Sequence, residues 1–257
     1  MAGKSLSEIK KEFKKADILQ WEDLISLYSE DTRTGVCNYL ASCRKKIEAY
    51  QKELIRLEEM CSFEKEYSFC TYICGIDEVG RGPLAGPVVA GAVVFPKDVR
   101  IPWINDSKKL SAAKREELSE IIKEKAISYA LGSTSPERID EINILQATYE
   151  AMRQAVSRLS VRPDILLNDA VTIPELDIPQ RPIIKGDAKS QSIAAASIIA
   201  KVSRDRMMVE YDALMPEYGF ASNKGYGSAS HIEALRKYGP SPIHRKTFIT
   251  HFVETND

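Results

Sequence analysis

Two adjacent carboxylates, Asp77 and Glu78, stand where a short apolar run ends, and they are the residues best suited to chemistry. The run at residues 72–76 is followed by a turn-forming stretch with three glycines and two prolines, and then by a second apolar run at residues 88–95. Both runs are rich in β-forming residues and are short enough for buried strands. A carboxylate at the end of a central strand is costly to bury unless a cation neutralises it. The pattern therefore indicates a site that attracts a cation.

The glycine-rich stretch between the two runs allows two less specific interpretations. An Asp-Glu pair beside glycine often marks only a solvated turn, and the residues alone leave this alternative open. A nucleotide-binding loop does not fit, because GRGPLAGP lacks the Lys-Ser/Thr of a phosphate loop and its glycine spacing misses G-x-G-x-x-G. Its prolines also remove backbone N–H donors that a phosphate would need. A carboxylate site is the more specific interpretation.

Residues 73–95, ICGIDEVGRGPLAGPVVAGAVVF, closely resemble the first signature of the type 2 ribonuclease H family, and of bacterial ribonuclease HII in particular. The resemblance implies that the two carboxylates belong to a metal site. It also implies that Gly80, Arg81 and Gly82 form a loop that contacts a ribose 2′-hydroxyl group. The related ribonuclease HIII group carries a small residue at the position of Arg81, so the resemblance favours ribonuclease HII.

A third carboxylate, Asp169, repeats the arrangement of the first pair. Residues 164–167 form a short apolar run after Pro163, which predicts a strand that ends next to Asn168 and Asp169. Family members usually carry Val-Asp-Gly here, whereas this chain has Asn-Asp-Ala with Ala170 in the last place. The resemblance assigns Asp169 to the metal site, and the alanine leaves the conformation of the local turn open.

Three acidic residues compete for a fourth ligand position. Asp205 and Asp212 lie inside a long predicted helix that also carries arginines, where solvated or structural ion pairs are common. Asp187 lies at the entrance of that helix, shortly after a strand predicted around residues 183–184. It is also the position that the resemblance assigns to the fourth ligand. We therefore predict that Asp187 is a ligand and that Asp205 is a structural residue.

The segment Asp106-Ser107-Lys108 lies in a predicted loop before a helix that Ser111 caps. It resembles a family motif near the substrate backbone, which points to Ser107 and Lys108 as substrate-binding residues. A generic loop before a helix would look similar, so this alternative stays open.

Tyr226 stands between Gly225 and Gly227, an arrangement that presents an aromatic ring on a turn, as a stacking platform requires. A tyrosine between glycines is often only a turn residue. The resemblance favours a substrate-binding role, because the family carries a tyrosine that contacts the junction of its substrate. The basic segment at residues 244–246 adds positive charge and receives no catalytic role.

Length and composition predict a soluble, cytoplasmic protein of one or two domains without a membrane partner. In 257 residues no apolar run approaches about 18 residues, and the polar N-terminus has no signal-peptide core. The net charge of −1 neither indicates nor excludes nucleic-acid binding. The five cysteines lie far from the three histidines in the sequence, so we expect reduced structural thiols rather than a metal site.

The chain is predicted to divide into a helical appendage at residues 1–66 and a catalytic domain at residues 67–257. Ser5 and Glu8 form the capping-box pattern of a first helix. A longer helix from about Thr34 carries apolar residues at alternating steps of four and three. Ordinary helix packing explains this stripe, with a coiled-coil dimer as the alternative, and we expect a monomer.

The order of elements after the appendage is β, β, β, α, β, α, followed by shorter pieces. This order predicts an α/β ribonuclease H-like fold, in which helices flank a central sheet. The glycine-rich turn joins the first two strands as a hairpin, so the central sheet should be mixed.

The predicted ligands define the expected chemistry. Asp77, Glu78, Asp169 and Asp187 offer hard oxygen donors, which suit two divalent metal ions, Mg²⁺ or Mn²⁺. Two such ions about 4 Å apart can neutralise a phosphodiester and activate a water. The resemblance then implies an endoribonuclease that hydrolyses the RNA strand of RNA/DNA hybrids. It further implies cleavage 5′ to single ribonucleotides in duplex DNA, leaving a 3′-hydroxyl and a 5′-phosphate.

Two alternatives to this function stay open. The first is ribonuclease HIII-like specificity, which avoids a lone ribonucleotide in DNA. The second is a non-catalytic nucleic-acid-binding protein, and the presence of all four acidic positions argues against it.

Overall fold

The structure is a computed structural model that describes residues 4–253. The chain folds into two compact units, of which the first ends at Glu58 and the second begins at Glu59. Within the described range, no helix is long and apolar enough to cross a membrane. The boundary at residue 66 concerns which fragment folds independently, and it stays a prediction.

The first unit is built from helices that share an apolar core. It contains α1 (Leu6–Lys15), α2 (Trp21–Leu27) and most of α3 (Thr34–Met60). The predicted capping box is present, since the Glu8 N–H donates to Ser5 Oγ at 3.3 Å and the Ser5 N–H donates to Glu8 Oε2 at 2.7 Å. The core residues are Ile9, Phe13, Ile25, Val36, Leu40, Cys43 and Ile47. The first half of the apolar stripe on α3 is therefore buried by ordinary helix packing.

A five-stranded mixed sheet forms the centre of the second unit. Its spatial order is β3-β2-β1-β4-β5, with β1 antiparallel to β2 and parallel to β4. The edge strand β3 is antiparallel to β2, and β5 is parallel to β4. The strands are β1 (Ile73–Val79), β2 (Val88–Val94), β3 (Ser128–Thr134), β4 (Ile165–Asp169) and β5 (Gln180–Ile183). The predicted hairpin of the first two strands and the mixed sheet are confirmed.

Helices cover both faces of this sheet. The helices that lie entirely in the second unit are α4 (Ser62–Glu66), α5 (Ala112–Lys125), α6 (Pro136–Ser157), α7 (Gln191–Leu214), α8 (Phe220–Asn223), α9 (Ala229–Tyr238) and α10 (Lys246–Ile249). Cys74 and Ile76 of β1 share a core with residues of α6, whereas Gly75 between them faces α7. A Cβ on Gly75 would lie 2.1 Å from the carbonyl carbon of Ser192. The glycine thus allows α7 to approach the centre of the sheet.

The bounds of two strands differ from the prediction. β1 continues to Val79, so Asp77 and Glu78 lie within the strand instead of following it. The cause is pairing with β2, because ladder hydrogen bonds extend a strand across polar residues that its own propensity would exclude. β5 ends at Ile183, and the next residue, Ile184, is 74% exposed rather than part of the strand.

Candidate active site

Neighbouring parallel strands bring Asp77 and Asp169 together. In the register of β1 and β4, Ile76 lies beside Asn168, so the next step along both strands places Asp77 beside Asp169. Asp77 is 5% exposed, and Asp169 is half-buried at the last position of β4. The two carboxylates come from separate apolar runs in the sequence. In the fold they therefore lie side by side toward the carboxyl ends of β1 and β4.

The turn that follows β5 places Asp187 near these two carboxylates. A short 3₁₀ turn at Gly186–Ala188 leads into α7, and the Gly186 N–H donates to Asp169 Oδ1 at 2.7 Å. Asp187 is 8% exposed. Burial raises the pKa of Asp187, and the negative charges of Asp106 and Asp169 raise it further. Three of the four predicted ligands thus lie within one interacting group.

The fourth, Glu78, follows Asp77 without a break in the strand register. Its N–H donates to Asp77 Oδ1 at 2.8 Å, and its side chain pairs with Arg81 at 3.3 Å. Burial raises the pKa of Asp77 well above its usual range, and the charge of Glu78 raises it further. Burial also raises the pKa of Glu78, although Arg81 opposes this effect. The protein alone therefore supplies too little positive charge for this cluster.

Ser107 and Lys108 lie beside the acidic cluster. Asp106 caps their short turn by accepting the Lys108 N–H at 2.9 Å. Ser107 Oγ lies 2.9 Å from Ser197 Oγ of α7, and Ser197 also hydrogen-bonds to Asp77. Burial acts to lower the pKa of Lys108, but the charges of Asp77 and three further aspartates outweigh it and raise that pKa. Lys108 is thus an exposed cation close enough to the carboxylates for their charges to act on it.

The acidic cluster of Asp77, Glu78, Asp169 and Asp187 fits a hard divalent cation. Among residues 4–253, no group of three or more His, Cys, Asp or Glu side chains is arranged so that it could hold a metal ion, so the fit rests on the chemistry of the donors. The donors are carboxylate oxygens, which Mg²⁺ and Mn²⁺ prefer. A bound cation would also relieve the repulsion that raises the pKa of Asp77 and Asp187.

The two other acidic candidates on α7 have different surroundings. Asp205 pairs with Lys201 at 2.7 Å and with Arg115 at 3.7 Å. Asp212 lies two helical turns further along, with one buried carboxylate oxygen that has no hydrogen-bond partner. Cations of the protein itself neutralise Asp205, in contrast to Asp187.

Two buried arginines, Arg204 and Arg245, hold the loop between β1 and β2 in place. Each is fully buried, and each donates to backbone carbonyls at distances between 2.5 and 3.1 Å. The acceptors are Gly80, Arg81 and Gly86 for Arg245, and Ala85 and Pro87 for Arg204. Burial, followed by the charge of Arg204, lowers the pKa of Arg245 to about 9. Sequence reasoning missed both residues, because each lies in a segment that reads as an ordinary basic surface.

Within this loop, Gly80 and Gly82 have opposite surroundings. Gly80 has φ 92°, and a Cβ there would lie 2.3 Å from Arg204 Nε, so the fold itself requires glycine. Gly82 is exposed, and a Cβ there would meet nothing within 4 Å. Among the hydrogen bonds of the described residues, neither the N–H nor the C=O of Gly82 has a partner in the protein. The fold therefore does not explain this glycine.

Tyr226 lies on a turn that is bonded to the same loop. Its side chain is 45% exposed. The preceding carbonyl, of Gly225, accepts the N–H of Leu84 at 2.8 Å and of Ala85 at 3.3 Å. The predicted tyrosine and the predicted glycine loop are thus parts of one hydrogen-bonded layer.

The chain is similar to known proteins along most of its length. A family model described as "Ribonuclease HII" matches residues 74–251, and one described as "Ribonuclease HII N-terminal domain" matches residues 5–68. A ribonuclease HII from Lachnoclostridium phytofermentans is 59% identical over 244 residues, covering 95% of this chain and 96% of that protein. A ribonuclease HII from Clostridioides difficile is 52% identical over 255 residues, covering 98% of this chain and 100% of that protein.

A solved structure extends the agreement to the fold. The ribonuclease H2 of Pyrococcus horikoshii OT3 is 30% identical with a TM-score of 0.57, over 69% of this chain and 93% of that one. The predicted ribonuclease H-like fold is confirmed. The chain therefore belongs to the ribonuclease HII family and is a ribonuclease H, an endonuclease that hydrolyses phosphodiester bonds.

Proposed function

We propose that the enzyme hydrolyses the RNA strand of RNA/DNA hybrids and cuts 5′ to single ribonucleotides embedded in duplex DNA. The products are a 3′-hydroxyl and a 5′-phosphate. The observation that carries this proposal is the open backbone of Gly82, which lies four residues from Glu78 and beside Arg81. An exposed glycine with an unpaired donor and an unpaired acceptor suits a hydroxyl group of the substrate.

Recognition of ribose requires a separate probe of the 2′-hydroxyl group, because a carboxylate site does not distinguish ribose from deoxyribose. The hydroxyl both donates and accepts a hydrogen bond, and a peptide C=O and N–H can answer both. Gly82 offers these two groups without a Cβ between them and the sugar. Arg245 donates to the carbonyls of Gly80 and Arg81. These two acceptors are therefore already paired and do not compete for the N–H of Gly82.

The catalytic group in this proposal is the cluster of Asp77, Glu78, Asp169 and Asp187, which would hold two divalent ions, Mg²⁺ or Mn²⁺. When bound, the ions would supply positive charge that offsets the charge of the phosphodiester and makes it easier for an attacking water to lose a proton. Asp77 would be central to holding the ions, because it is the most buried of the four and lies beside Asp169 of the neighbouring strand.

Three further residues would position the substrate. Lys108 would contact the phosphate next to the scissile bond, since its ammonium group is close enough to the carboxylates for their charges to act on it. Ser107 would orient the start of this turn through its contact with Ser197. Tyr226 would stack on the sugar beyond the scissile phosphate and fix where the chain is cut.

The decisive experiment compares three labelled duplexes: DNA with one ribonucleotide, an RNA/DNA hybrid, and all-DNA. Each is incubated with Mg²⁺, Mn²⁺ or a chelator, and the ends of the products are mapped. We expect a single cut 5′ to the ribonucleotide, cleavage of the hybrid, none of the all-DNA duplex and none with chelator. Cleavage of the hybrid that spares the single ribonucleotide would replace the proposal with ribonuclease HIII-like specificity. Binding without any cleavage would refute the catalytic assignment.

A further inference from the structure

Two histidines outside the acidic cluster, His231 and His244, form a hydrogen-bonded pair next to Tyr226. His231 Nε2 lies 3.0 Å from His244 Nε2, and His231 Nδ1 lies 2.8 Å from the Tyr226 carbonyl oxygen. At the far end, His244 Nδ1 lies 2.9 Å from the Ser241 backbone nitrogen and 2.7 Å from Ser241 Oγ. A continuous chain of hydrogen bonds therefore runs from Ser241 through His244 and His231 to Tyr226.

The partners at the two ends define where the protons lie. The Ser241 N–H can only donate, so His244 Nδ1 has no proton, and the neutral ring carries its proton at Nε2. The Tyr226 carbonyl can only accept, so His231 carries its proton at Nδ1 and leaves Nε2 free. His244 Nε2–H then donates to His231 Nε2, and every group in the chain is satisfied with both rings neutral.

The surroundings favour this neutral form. His231 is fully buried and His244 is 3% exposed, and both rings pack against Tyr218 and Phe220. Burial lowers the pKa of both histidines, and that of His244 falls to about 4 with a further contribution from His231. The titratable and charged groups around the pair are Tyr218, Tyr226 and Arg245, with Arg204 behind Arg245. None of these four groups is a carboxylate, whose negative charge would favour a protonated ring.

The histidine pair also connects the tyrosine turn to the glycine loop. Arg245, which follows His244 directly, donates to the carbonyls of Gly80 and Arg81. The backbone of His244 itself forms a β-bridge with Ala85. One end of the hydrogen-bond chain therefore holds Tyr226. The other end anchors the segment around His244 and Arg245, which fixes the Gly80–Gly82 loop.

We propose that His231 and His244 are positioning residues that set Tyr226 relative to the Gly80–Gly82 loop, and that this needs both rings neutral in the tautomers given above. The inference rests on the proposed function, because it takes Tyr226 and the loop to contact the substrate. A purely structural pair would stabilise the core without affecting where the enzyme cuts.

The first experiment tests the hydrogen-bond chain without using activity. Protein labelled with ¹⁵N-histidine contains three labelled imidazole rings, and the ring of the exposed His251 gives the control signal. Long-range ¹H–¹⁵N spectra at pH 7.5 should show one ring protonated at Nδ1 and one at Nε2, and single substitutions assign them to His231 and His244. Either ring in the opposite tautomer, or charged at this pH, would overturn the inference.

The second experiment tests the connection to Tyr226. On a duplex with one ribonucleotide, His244→Phe should lower kcat/KM at least tenfold, and His244→Gln should recover part of this because its amide can still donate to His231. In a Tyr226→Ala background, His244→Phe should have no further effect on kcat/KM. Ser241→Ala, which removes only the hydroxyl next to His244 Nδ1, gives a milder variant if His244→Phe does not fold.

The outcomes separate the inference from the proposed function. If Tyr226→Ala cleaves normally, the substrate-binding role of Tyr226 is wrong, and the inference fails with it. If Tyr226→Ala is impaired but His244→Phe or Ser241→Ala lowers kcat/KM equally in both backgrounds, the inference alone is wrong. A loss of kcat/KM that tracks the melting temperature across all variants would likewise overturn it.

Discussion

Gly82→Ala tests whether the glycine loop recognises the substrate or only shapes the hairpin. A Cβ at this position meets nothing within 4 Å, and the backbone is outside the left-handed region, so folding should tolerate alanine. Replacing glycine at a compatible position stabilises a protein by about 0.4–1 kcal/mol, because the unfolded chain loses freedom. For a domain of about 150–250 residues, this raises the melting temperature by roughly 1–4 °C.

Activity should respond in the opposite direction. A methyl group at the closest approach of the backbone to the sugar would disturb one hydrogen bond donated to the 2′-hydroxyl and one accepted from it. At about 1–1.5 kcal/mol each, the loss is about 2–3 kcal/mol, or roughly 30- to 150-fold in kcat/KM. The measurement is steady-state cleavage of a duplex with one ribonucleotide, together with the melting temperature of the same preparation.

Gly80→Ala is the matched control in the same loop. Its φ of 92° and the 2.3 Å approach to Arg204 Nε should cost more than about 2 kcal/mol, and this variant should melt at least about 4 °C lower. Wild-type cleavage by Gly82→Ala would refute the recognition argument. So would a loss of activity that only follows a loss of stability, as expected for Gly80→Ala.

Three further predictions concern Asp77, the turn after β4 and the first unit. Asp77→Asn should reduce cleavage more than about 1000-fold, and Mg²⁺ should raise the melting temperature of the wild type but not of this variant. Near-normal turnover would rule out the two-ion assignment. Ala170→Gly should raise the melting temperature by roughly 1–4 °C, because φ of 57° strains alanine, and a lower value would contradict this. Fragments 59–257 and 67–257 should both retain cleavage but bind substrate more weakly, and their affinity should depend less steeply on salt concentration. An unchanged slope of affinity against salt would mean that residues 1–58 contact no phosphates. The shorter fragment should melt lower, since Glu64 accepts hydrogen bonds from Ser190 and Ser192 at the start of α7, and equal melting temperatures would contradict that role.

Much of the sheet could be predicted from the sequence, because its central strands are short apolar runs with acidic residues at their ends. The parallel pairing of β1 with β4, which places Asp77 beside Asp169, was not predicted from the sequence and comes from the strand order in the structure. The exact ends of the strands could not be predicted, since pairing with β2 carries β1 through two acidic residues. The turn after Asp169 was left open by the sequence, and the structure gives Ala170 the left-handed conformation in which glycine is favoured.

The residues that hold the loop between β1 and β2 could not be predicted from local patterns. Arg245 lies 165 positions from Gly80, and its neighbours in the sequence are a histidine and a lysine, which are typical of a solvent-exposed segment. Its full burial follows only from the tertiary packing of the C-terminal segment against the loop. The same applies to His231 and His244, which are 13 positions apart and meet only in the folded chain.

Under the proposed function, the two buried arginines would explain how the loop between β1 and β2 rejects deoxyribose. Burying guanidinium groups is unfavourable, and the acceptors given for Arg204 and Arg245 are backbone carbonyls rather than carboxylates. These contacts, and the bonds from Leu84, Ala85 and Gly86 to neighbouring carbonyls, fix the loop before a nucleic acid arrives. A mobile loop could turn its free N–H and C=O toward water when the 2′-hydroxyl is missing, so the penalty for deoxyribose would be small. A fixed loop leaves both groups unpaired against deoxyribose, and this penalty is what discrimination requires.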